Sequence, residues 1–183
     1  NAISAGVFLG TTDFDPDAGT QALTADAPDG YISKLDKTGA FVWAKQLDGS
    51  VSDIRVAVDA DNNIYAAGSF DGTTDFDPGA GEVELTPVGL TDVFVCKFGS
   101  DGGLAWAKQF GGNANDNLRG LAVDNDGNVH TTGDFAGTAD FDPGGRDGSP
   151  GCHLISAARC MDASCFSAVC PKAMAAIPIA PVT

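Results

Sequence analysis

Basic residues are scarce in this sequence, and their scarcity limits the classes of molecule that the protein can bind. The chain has 10 Lys+Arg against 25 Asp+Glu, which gives a formal net charge of −15. Such a surface repels the phosphates of nucleic acids and of anionic membranes, so we exclude both as partners. No run of about 20 apolar residues is present either, so the sequence predicts no insertion into a membrane.

Catalytic signatures are equally sparse. The chain has two His, His130 and His153, and it lacks the serine-hydrolase elbow, the zinc-protease motif and the phosphate-binding loop. These absences favour a non-enzymatic protein. Carboxylate pairs are plentiful, which keeps a hydrolase as an alternative. Its candidate residues would be Asp15, Asp77 and His130.

No helical periodicity is sustained before the last forty residues. That part of the sequence contains an internal repeat instead. The phrase "TTDFDP" occurs at Thr11–Pro16 and Thr73–Pro78, and "TADFDP" occurs at Thr138–Pro143. Other strings, such as "WAKQ", recur at the same offsets of 62 to 65 residues. Self-similarity at such a period indicates supersecondary units that stack on one another. Residues 5–145 hold about two and a quarter copies.

Each copy contains four β-rich runs separated by turn residues. In the second copy they lie around residues 56–58, 63–70, 92–98 and 104–110. Strings such as "DADNN", "DNDGN" and "SDGG" supply the Asp, Asn and Gly that hairpin turns use. The sequence therefore predicts an all-β fold of four-stranded antiparallel blades, in a β-propeller or an open array of blades.

Several strings together resemble a known family. "AVDADNNIYAAGSF", "AVDNDGNVHTTGDF" and "DVFVCKFGSDGGLAWAKQFGG" resemble the bacterial β-propeller repeat called the SBBP repeat. The closest resemblance is to its long-period form with a "DFDPG" insertion, found in tandem arrays of large exported bacterial proteins. The resemblance covers residues 5 to about 145. It implies propeller blades in a secreted or surface-attached protein, and it brings no catalytic residues.

The length sets a further constraint on the architecture. Propellers usually close with four to eight blades, and about 141 residues at this period do not supply four. The chain is thus expected to be a piece of a longer array, to close by association, or to pack its blades openly. Its opening inside a copy favours the first of these. Open strand edges and apolar faces favour self-association.

The repeated acidic phrase has two interpretations. Alternating carboxylates followed by Gly are reminiscent of calcium loops, in which hard cations take six to eight oxygens. Alternatively, the Asp residues fix a turn before a Pro corner and the Phe residues fill space between blades. The candidate calcium ligands are Asp13, Asp15, Asp17, Asp75, Asp77, Asp140 and Asp142, and the structural aromatics are Phe14, Phe76 and Phe141.

Two other recurrent features can likewise be interpreted either as structural elements or as binding sites. The turns at residues 59–63 and 124–128 also alternate Asp and Asn, as calcium loops do, but ordinary hairpins explain them better. Trp43 and Trp106 recur within the alternating strand pattern. They are expected to pack between copies rather than to form a platform for sugars.

The last 38 residues, 146–183, break the repeat. This segment carries 3 Lys+Arg against 2 Asp+Glu and four of the five Cys. It is interpreted as a disulfide-stapled cap, a metal site near His153, or a segment whose reading frame has changed. The candidate disulfide residues are Cys152, Cys160, Cys165 and Cys170. The predicted domains are therefore residues 1–145 and residues 146–183.

These observations lead to one expected function and two alternatives. The expected function is a non-enzymatic, secreted or cell-surface repeat module that serves as a scaffold or interaction surface, with calcium as its candidate cofactor. Its expected partners are a protein surface, a glycan surface or another copy of the same chain. The alternatives are a carbohydrate- or matrix-binding module and the hydrolase named above.

Overall fold

The computed structural model describes residues 1–140, 153–156 and 164–170, and these residues contain strands and no helix. The all-β prediction is confirmed. The strands are β1 (Ala2–Asp13), β2 (Ala22–Leu35), β3 (Phe41–Val58), β4 (Ile64–Phe70), β5 (Thr74–Asp75), β6 (Glu84–Leu85), β7 (Asp92–Phe98), β8 (Leu104–Gly112), β9 (Asn117–Val123), β10 (Val129–Phe135), β11 (Ala139–Asp140), β12 (His153–Ser156) and β13 (Ser164–Cys170).

The strands form two antiparallel sheets. One has nine strands, with the order β1-β2-β3-β4-β7-β8-β11 and the short strands β5 and β6 beside β3. The other has four strands in the order β12-β13-β10-β9. We call residues 2–50 the first copy, residues 51–112 the second copy and residues 113–140 the third copy. Short turns join the antiparallel pairs β1–β2, β2–β3, β3–β4, β7–β8 and β9–β10, whereas β4 pairs with β7, β8 with β11 and β10 with β13 across longer segments.

β3 differs from the sequence prediction, which treated "FVWAKQL" and residues 56–58 as separate runs. Residues 41–50 pair with β2, and residues 51–58 pair with β4. The strand therefore belongs to both copies. Gly49 lies between its two halves with φ 146°, a conformation that favours glycine, and a side chain there would collide with Thr74. The string "LDGSVSD" looks like a loop in sequence, but here it bends one continuous strand.

The second copy is covered on both faces. Alternate residues of a strand point to opposite faces, and in β4 all seven residues are buried. Ile64 and Phe70 join a cluster with Ile32 of the first copy. Tyr65 joins another cluster with Leu118 of the third copy. The sheet of the second copy is thus sandwiched between its neighbours in the chain.

An aromatic triad recurs in the first two copies with nearly the same geometry. In the second copy Phe76 lies 5.6 Å from Phe70 and 4.7 Å from Phe94 between ring centroids. In the first copy the matching distances are 5.4 Å from Phe14 to Phe8 and 4.6 Å from Phe14 to Tyr31. The second triad is buried beneath the first copy, whereas Phe14 and Tyr31 stay half-buried. Among the residues that the structure describes, one face of the first copy is therefore only partly covered, and we call it the open face.

A strand glycine accompanies each triad. Tyr31 pairs with Gly6, and Phe94 pairs with Gly68. A Cβ on Gly68 would come within 2.7 Å of the Phe94 ring and 2.8 Å of the Ser52 carbonyl oxygen. The glycine leaves room for an aromatic ring to lie across the neighbouring strand. This packing explains the "AG" that precedes the first Phe of both triads.

The third copy continues the pattern along its backbone. β9 and β10 pair as the second half of β3 and β4 do, and β13 pairs with β10 where β7 pairs with β4. In this register Phe166 stands opposite Gly133, as Phe94 stands opposite Gly68. The proposed boundary near residue 145 lies outside the described residues, so the two-domain division stays a prediction.

Replacing Phe76 by Ala should lower the free energy of unfolding by about 3–5 kcal/mol, because a fully buried ring leaves a cavity in the first cluster. Phe14→Ala is the matched control, since it occupies the same place in the half-buried triad. Its loss should be clearly smaller, because hydrophobic stabilisation scales with the area removed from water. Urea unfolding followed by circular dichroism measures both. Equal losses would contradict the burial difference.

Gly68→Ala should destabilise the protein, because the new methyl group would meet both the Phe94 ring and a backbone carbonyl. Overpacking of this kind typically costs about 1–3 kcal/mol. Gly72→Ala is the control, since nothing lies within 4 Å of a Cβ at that position. Thermal melts of the two variants make the comparison, and a Gly68→Ala protein that melts like the Gly72→Ala protein would refute the packing argument.

Candidate functional site

The "DFDP" phrase forms the tip of a small hairpin in both described copies. Thr12 pairs with Leu23 in the first copy and Thr74 pairs with Leu85 in the second. The Phe14 backbone amide donates to the Gln21 carbonyl at 2.9 Å, and the Phe76 amide donates to the Val83 carbonyl at 3.1 Å. The conserved spacing of the phrase therefore reflects one repeated loop conformation.

The first carboxylate of the phrase ties the two ends of this loop together. Asp13 Oδ1 accepts the backbone amides of Asp15 at 3.1 Å and of Gln21 at 2.8 Å. Asp75 Oδ1 accepts the equivalent amides of Asp77 at 3.0 Å and Val83 at 2.9 Å. The amide of Gln21, and then that of Asp15, lower the pKa of Asp13, because hydrogen bonds to a carboxylate favour its charged form.

The second carboxylate also accepts an amide of its own loop. Asp15 Oδ1 accepts from the Asp17 amide at 2.9 Å, and Asp77 Oδ1 accepts from the Gly79 amide at 2.8 Å. Asp17 lies 3.5 Å from the Phe41 amide. These contacts are those of a fixed turn. In the part of the chain that the structure describes, no three His, Cys, Asp or Glu side chains converge as metal ligands.

The third occurrence of the "DFDP" phrase begins at the last residue of the described range 1–140. The backbone of Asp140 belongs to β11 and pairs with Gly111 of β8. The corresponding residue of the second copy, Asp75, pairs with Asp48 of β3. Each phrase therefore begins beside the end of the "WAKQ" strand of the preceding copy. Phe141 and Asp142 lie outside the described residues.

The turns at residues 59–63 and 124–128 are closed by their first Asp. Asp59 Oδ1 accepts the backbone amides of Asp61 and Asn63, both at 2.9 Å, and Asp59 Oδ2 accepts the Asn63 side chain at 2.8 Å. Asp124 makes the same three bonds in its own turn. Burial on its own would raise the pKa of Asp59, but the bonds from Asn63 and Tyr65 outweigh it and lower this pKa.

The side chains considered for hydrolysis do not meet. Asp15 and Asp77 are engaged in their own hairpins, as described above. His130 replaces Tyr65 and places its Nε2 3.5 Å from Asp124 Oδ2. Within the described residues, no hydrogen bond joins any two of Asp15, Asp77 and His130.

The two tryptophans are half-buried within the stack of copies. Trp43 of the first copy lies against Gly102 in a turn of the second copy, where a Cβ would stand 3.1 Å from the indole ring. Lys34 reaches the same turn and donates to the Ser100 carbonyl at 2.6 Å. Trp106 packs edge-on against Tyr65 at 6.3 Å between ring centroids. Both tryptophans thus contact strands or turns of the sheets.

Sequence reasoning missed a buried pair that joins Gln to Asp in the first copy and again in the second. Asp29 and Asp92 are almost fully buried. Gln46 donates to Asp29 at 2.6 Å, and Gln109 donates to Asp92 at 2.7 Å. The recurrence of both residues at an offset of 63 was the available signal. The signal does not by itself indicate burial, because an acid in a strand is ordinarily expected to face solvent.

A further buried acid follows the second copy. Asp116 is 1% exposed. Its Oδ2 accepts the Gly112 amide at 2.7 Å and its Oδ1 accepts the Ala136 amide at 3.1 Å. Burial raises the pKa of Asp116, and the nearby charge of Asp92 adds to this shift. The end of β8 therefore holds two buried carboxyl groups near each other.

The cysteine predictions fall mostly outside the described side chains. Cys152 and Cys160 lie outside the described residues, and Cys165 and Cys170 belong to β13, for which the backbone pairing is described. Cys96 is a free cysteine in the first cluster. Its complete burial raises the pKa of the thiol, so this residue behaves as a small apolar side chain.

The segment from β8 to β10, which includes Asp116, is the part of the chain that matches a known family. The SBBP beta-propeller repeat model matches residues 105–134. The chain is also 30% identical, over 117 aligned residues, to an uncharacterized WD repeat-containing protein of Acanthamoeba polyphaga mimivirus. That alignment covers 57% of this chain and 8% of the viral protein, so the chain corresponds to a small part of that relative.

These comparisons support the SBBP family and a repeat architecture. A repeat of this kind fits a scaffold or interaction module, and neither match carries evidence of catalysis. Among the described residues, there is no helix with the length and apolar character needed to cross a bilayer.

Asp59→Asn should reduce the loss of stability in acid. The folded-state pKa of Asp59 is lowered from the ordinary value of 3.8, so the unfolded chain takes up its proton first as the pH falls. Stability is therefore lost between pH 3.8 and the lower folded-state pKa. The variant should show a flatter fall in this range when the free energy of unfolding is measured against pH.

Asp71→Asn is the control for this experiment, because Asp71 is exposed. It should follow the pH profile of the wild-type protein. If Asp59→Asn and Asp71→Asn give the same profile, the bonds in the turn do not contribute to the acid sensitivity.

Proposed function

We propose that this chain is a non-enzymatic module of exported β-propeller repeats that serves as a scaffold and interaction surface. The copies would act as four-stranded blades, with strands corresponding to the second half of β3, β4, β7 and β8. The match of residues 105–134 to a beta-propeller repeat supports this interpretation. Repeats of this kind expose broad surfaces and edges for binding.

The observation that carries the proposal is the burial of the second copy on both faces. Its triad is covered by the first copy, and its opposite face is covered by the third copy. The first copy repeats the triad, and none of the described residues forms a neighbouring copy upon it. Phe14 and Tyr31 are therefore half-buried at positions where the second copy has fully buried rings. A partly exposed apolar face of this kind indicates an interaction site.

We infer that the preferred occupant of this open face is another repeat of the same kind. The second copy shows how such a face is filled, since Ile32 and Leu47 of the first copy pack against its triad. A second molecule can present an equivalent surface by the same head-to-tail stacking. Heterologous stacking of this kind generates closed rings or open filaments, so either a ring or an extended array could form.

Export and calcium binding complete the proposal. Export is supported by the family resemblance and by the acidity of residues 1–145, which carry 7 Lys+Arg against 23 Asp+Glu. Calcium binding is supported by the abundance of carboxylates. The first carboxylate of each described hairpin accepts backbone amides of its own loop, and the buried carboxylates at the end of β8 offer a second place for the ion.

The self-association should depend on the open triad. Sedimentation velocity at increasing concentrations of the wild-type chain is expected to show discrete oligomers. The double variant Phe14→Ser and Tyr31→Ser should remain monomeric, because it removes the apolar area of the open face. Circular dichroism checks that this variant is folded.

The matched control is the double variant Val88→Ser and Leu90→Ser. These side chains are 72% and 65% exposed but lie outside the triad. The control should associate like the wild type. A wild-type chain that stays monomeric at every concentration would refute self-association through this face.

A further inference from the structure

We propose that Asp92 and Asp116 hold one cation of the calcium class at the junction between the second and third copies. This inference rests on the calcium-binding part of the proposed function and names its site. The site is separate from the hairpin loops to which the sequence analysis assigned calcium. It stands at the end of β8, where Gly111 and Gly112 meet β11.

The first observation is an unsatisfied buried oxygen. Asp92 is fully buried. Its Oδ2 accepts the Val88 amide at 3.0 Å and the Gln109 side chain at 2.7 Å. Its Oδ1 is buried and has no hydrogen-bond partner. A buried carboxylate oxygen without a partner is costly, because it has lost the water that solvated it.

The second observation is that Asp116 faces the same point. A Cβ built on Gly111 would touch Asp92 Oδ1 and would stand 2.9 Å from Asp116 Oδ2. The two oxygens therefore converge above the glycine. Calcium–oxygen distances are about 2.3–2.6 Å, so one ion can contact both oxygens. Asp116 Oδ2 accepts one amide, from Gly112, and a carboxylate oxygen has a second lone pair for a metal.

The preceding junction shows why this oxygen is left unsatisfied. In the first copy, Asp29 Oδ1 accepts the amide of Gly49 at 3.2 Å. The equivalent amide in the second copy is that of Gly112, and it donates its hydrogen bond to Asp116 instead of Asp92. The counterpart of Asp116 in the string "QLDGSVSD" is Asp53, which is exposed. The first junction therefore has one buried carboxylate, and the second junction has two.

Smaller side chains accompany this change at the second junction. The string "QLDGSVSD" aligns with "QFGGNAND", so Gly111 stands where the first junction has Asp48. In the strand that pairs alongside, Ala139 stands where the preceding copy has Thr74. Both replacements remove side-chain atoms beside the buried pair. The missing side chain of Gly111 leaves room for the Asp92 carboxylate itself, which a Cβ at this position would strike.

Charge balance provides the third argument. In the described part of the chain, ion pairs join Lys97 to Asp59 and Arg119 to Asp134, and the His130 ring lies beside Asp124. None of them neutralises Asp92 or Asp116. Two buried carboxylates without a counter-charge repel each other and are poorly solvated. A hard cation neutralises both, and backbone carbonyls or waters supply its other ligands.

The test is calorimetric titration of CaCl2 into the full chain after removal of metal with a chelator. We expect one calcium ion per chain and a higher melting temperature in calcium, since a ligand that binds the folded state stabilises it. Asp92→Asn and Asp116→Asn should each reduce the affinity at least tenfold. Asp29→Asn is the matched control, because Asp29 is buried and bonded to Gln in the same way, and it should bind calcium like the wild type.

Two outcomes would overturn the site. Calcium binding that persists in both junction variants but disappears in Asp75→Asn would assign the ion to the hairpin and leave calcium binding itself standing. No heat and no change in melting temperature at millimolar calcium would remove calcium binding altogether. Neither outcome alters the prediction for self-association, because that measurement is made on the open triad and needs no metal.

Discussion

The structure depends on the apolar character of both faces of its sheets. A sheet with one apolar face can be stable when it is covered once, but β4 and β7 bury residues on both sides. Each copy therefore needs two neighbours, and the second copy has them. The free energy of such an array resides mainly in the surfaces between copies, as in other repeat proteins.

The hydrophobic stacking places polar groups in unusual surroundings. Asp29 and Asp92 enter the interior because their strands are covered by the next copy, and each is then held by a Gln from the adjoining strand. The pairs fix the register of the third and fourth strands of a copy. Where the following copy contributes one more acid, as Asp116 does, the balance of charge changes and a binding site becomes chemically reasonable.

Much of the fold could be predicted from local patterns, because those patterns depend on short stretches of chain. The alternation in residues 92–98 and the Asp-rich turns at residues 59–63 and 124–128 each specify their own conformation. The continuity of β3 could not be read in this way. Gly49 and Asp53 have the composition of a loop, with φ values of 146° and 51°, and only pairing with two different neighbours keeps the segment extended. The burial of Asp92 was hidden for the same reason, since it results from the stacking of a distant segment.

The continuity of β3 also affects how such a protein can be divided. One backbone segment completes the sheet of the first copy and opens the sheet of the second. A chain cut inside residues 41–49 divides the stretch that pairs with β2, and a cut inside residues 52–58 divides the stretch that pairs with β4. Only a cut at the bend, between Ser50 and Val51, leaves both stretches whole. Recombination or truncation elsewhere in β3 would therefore separate residues that belong to one sheet.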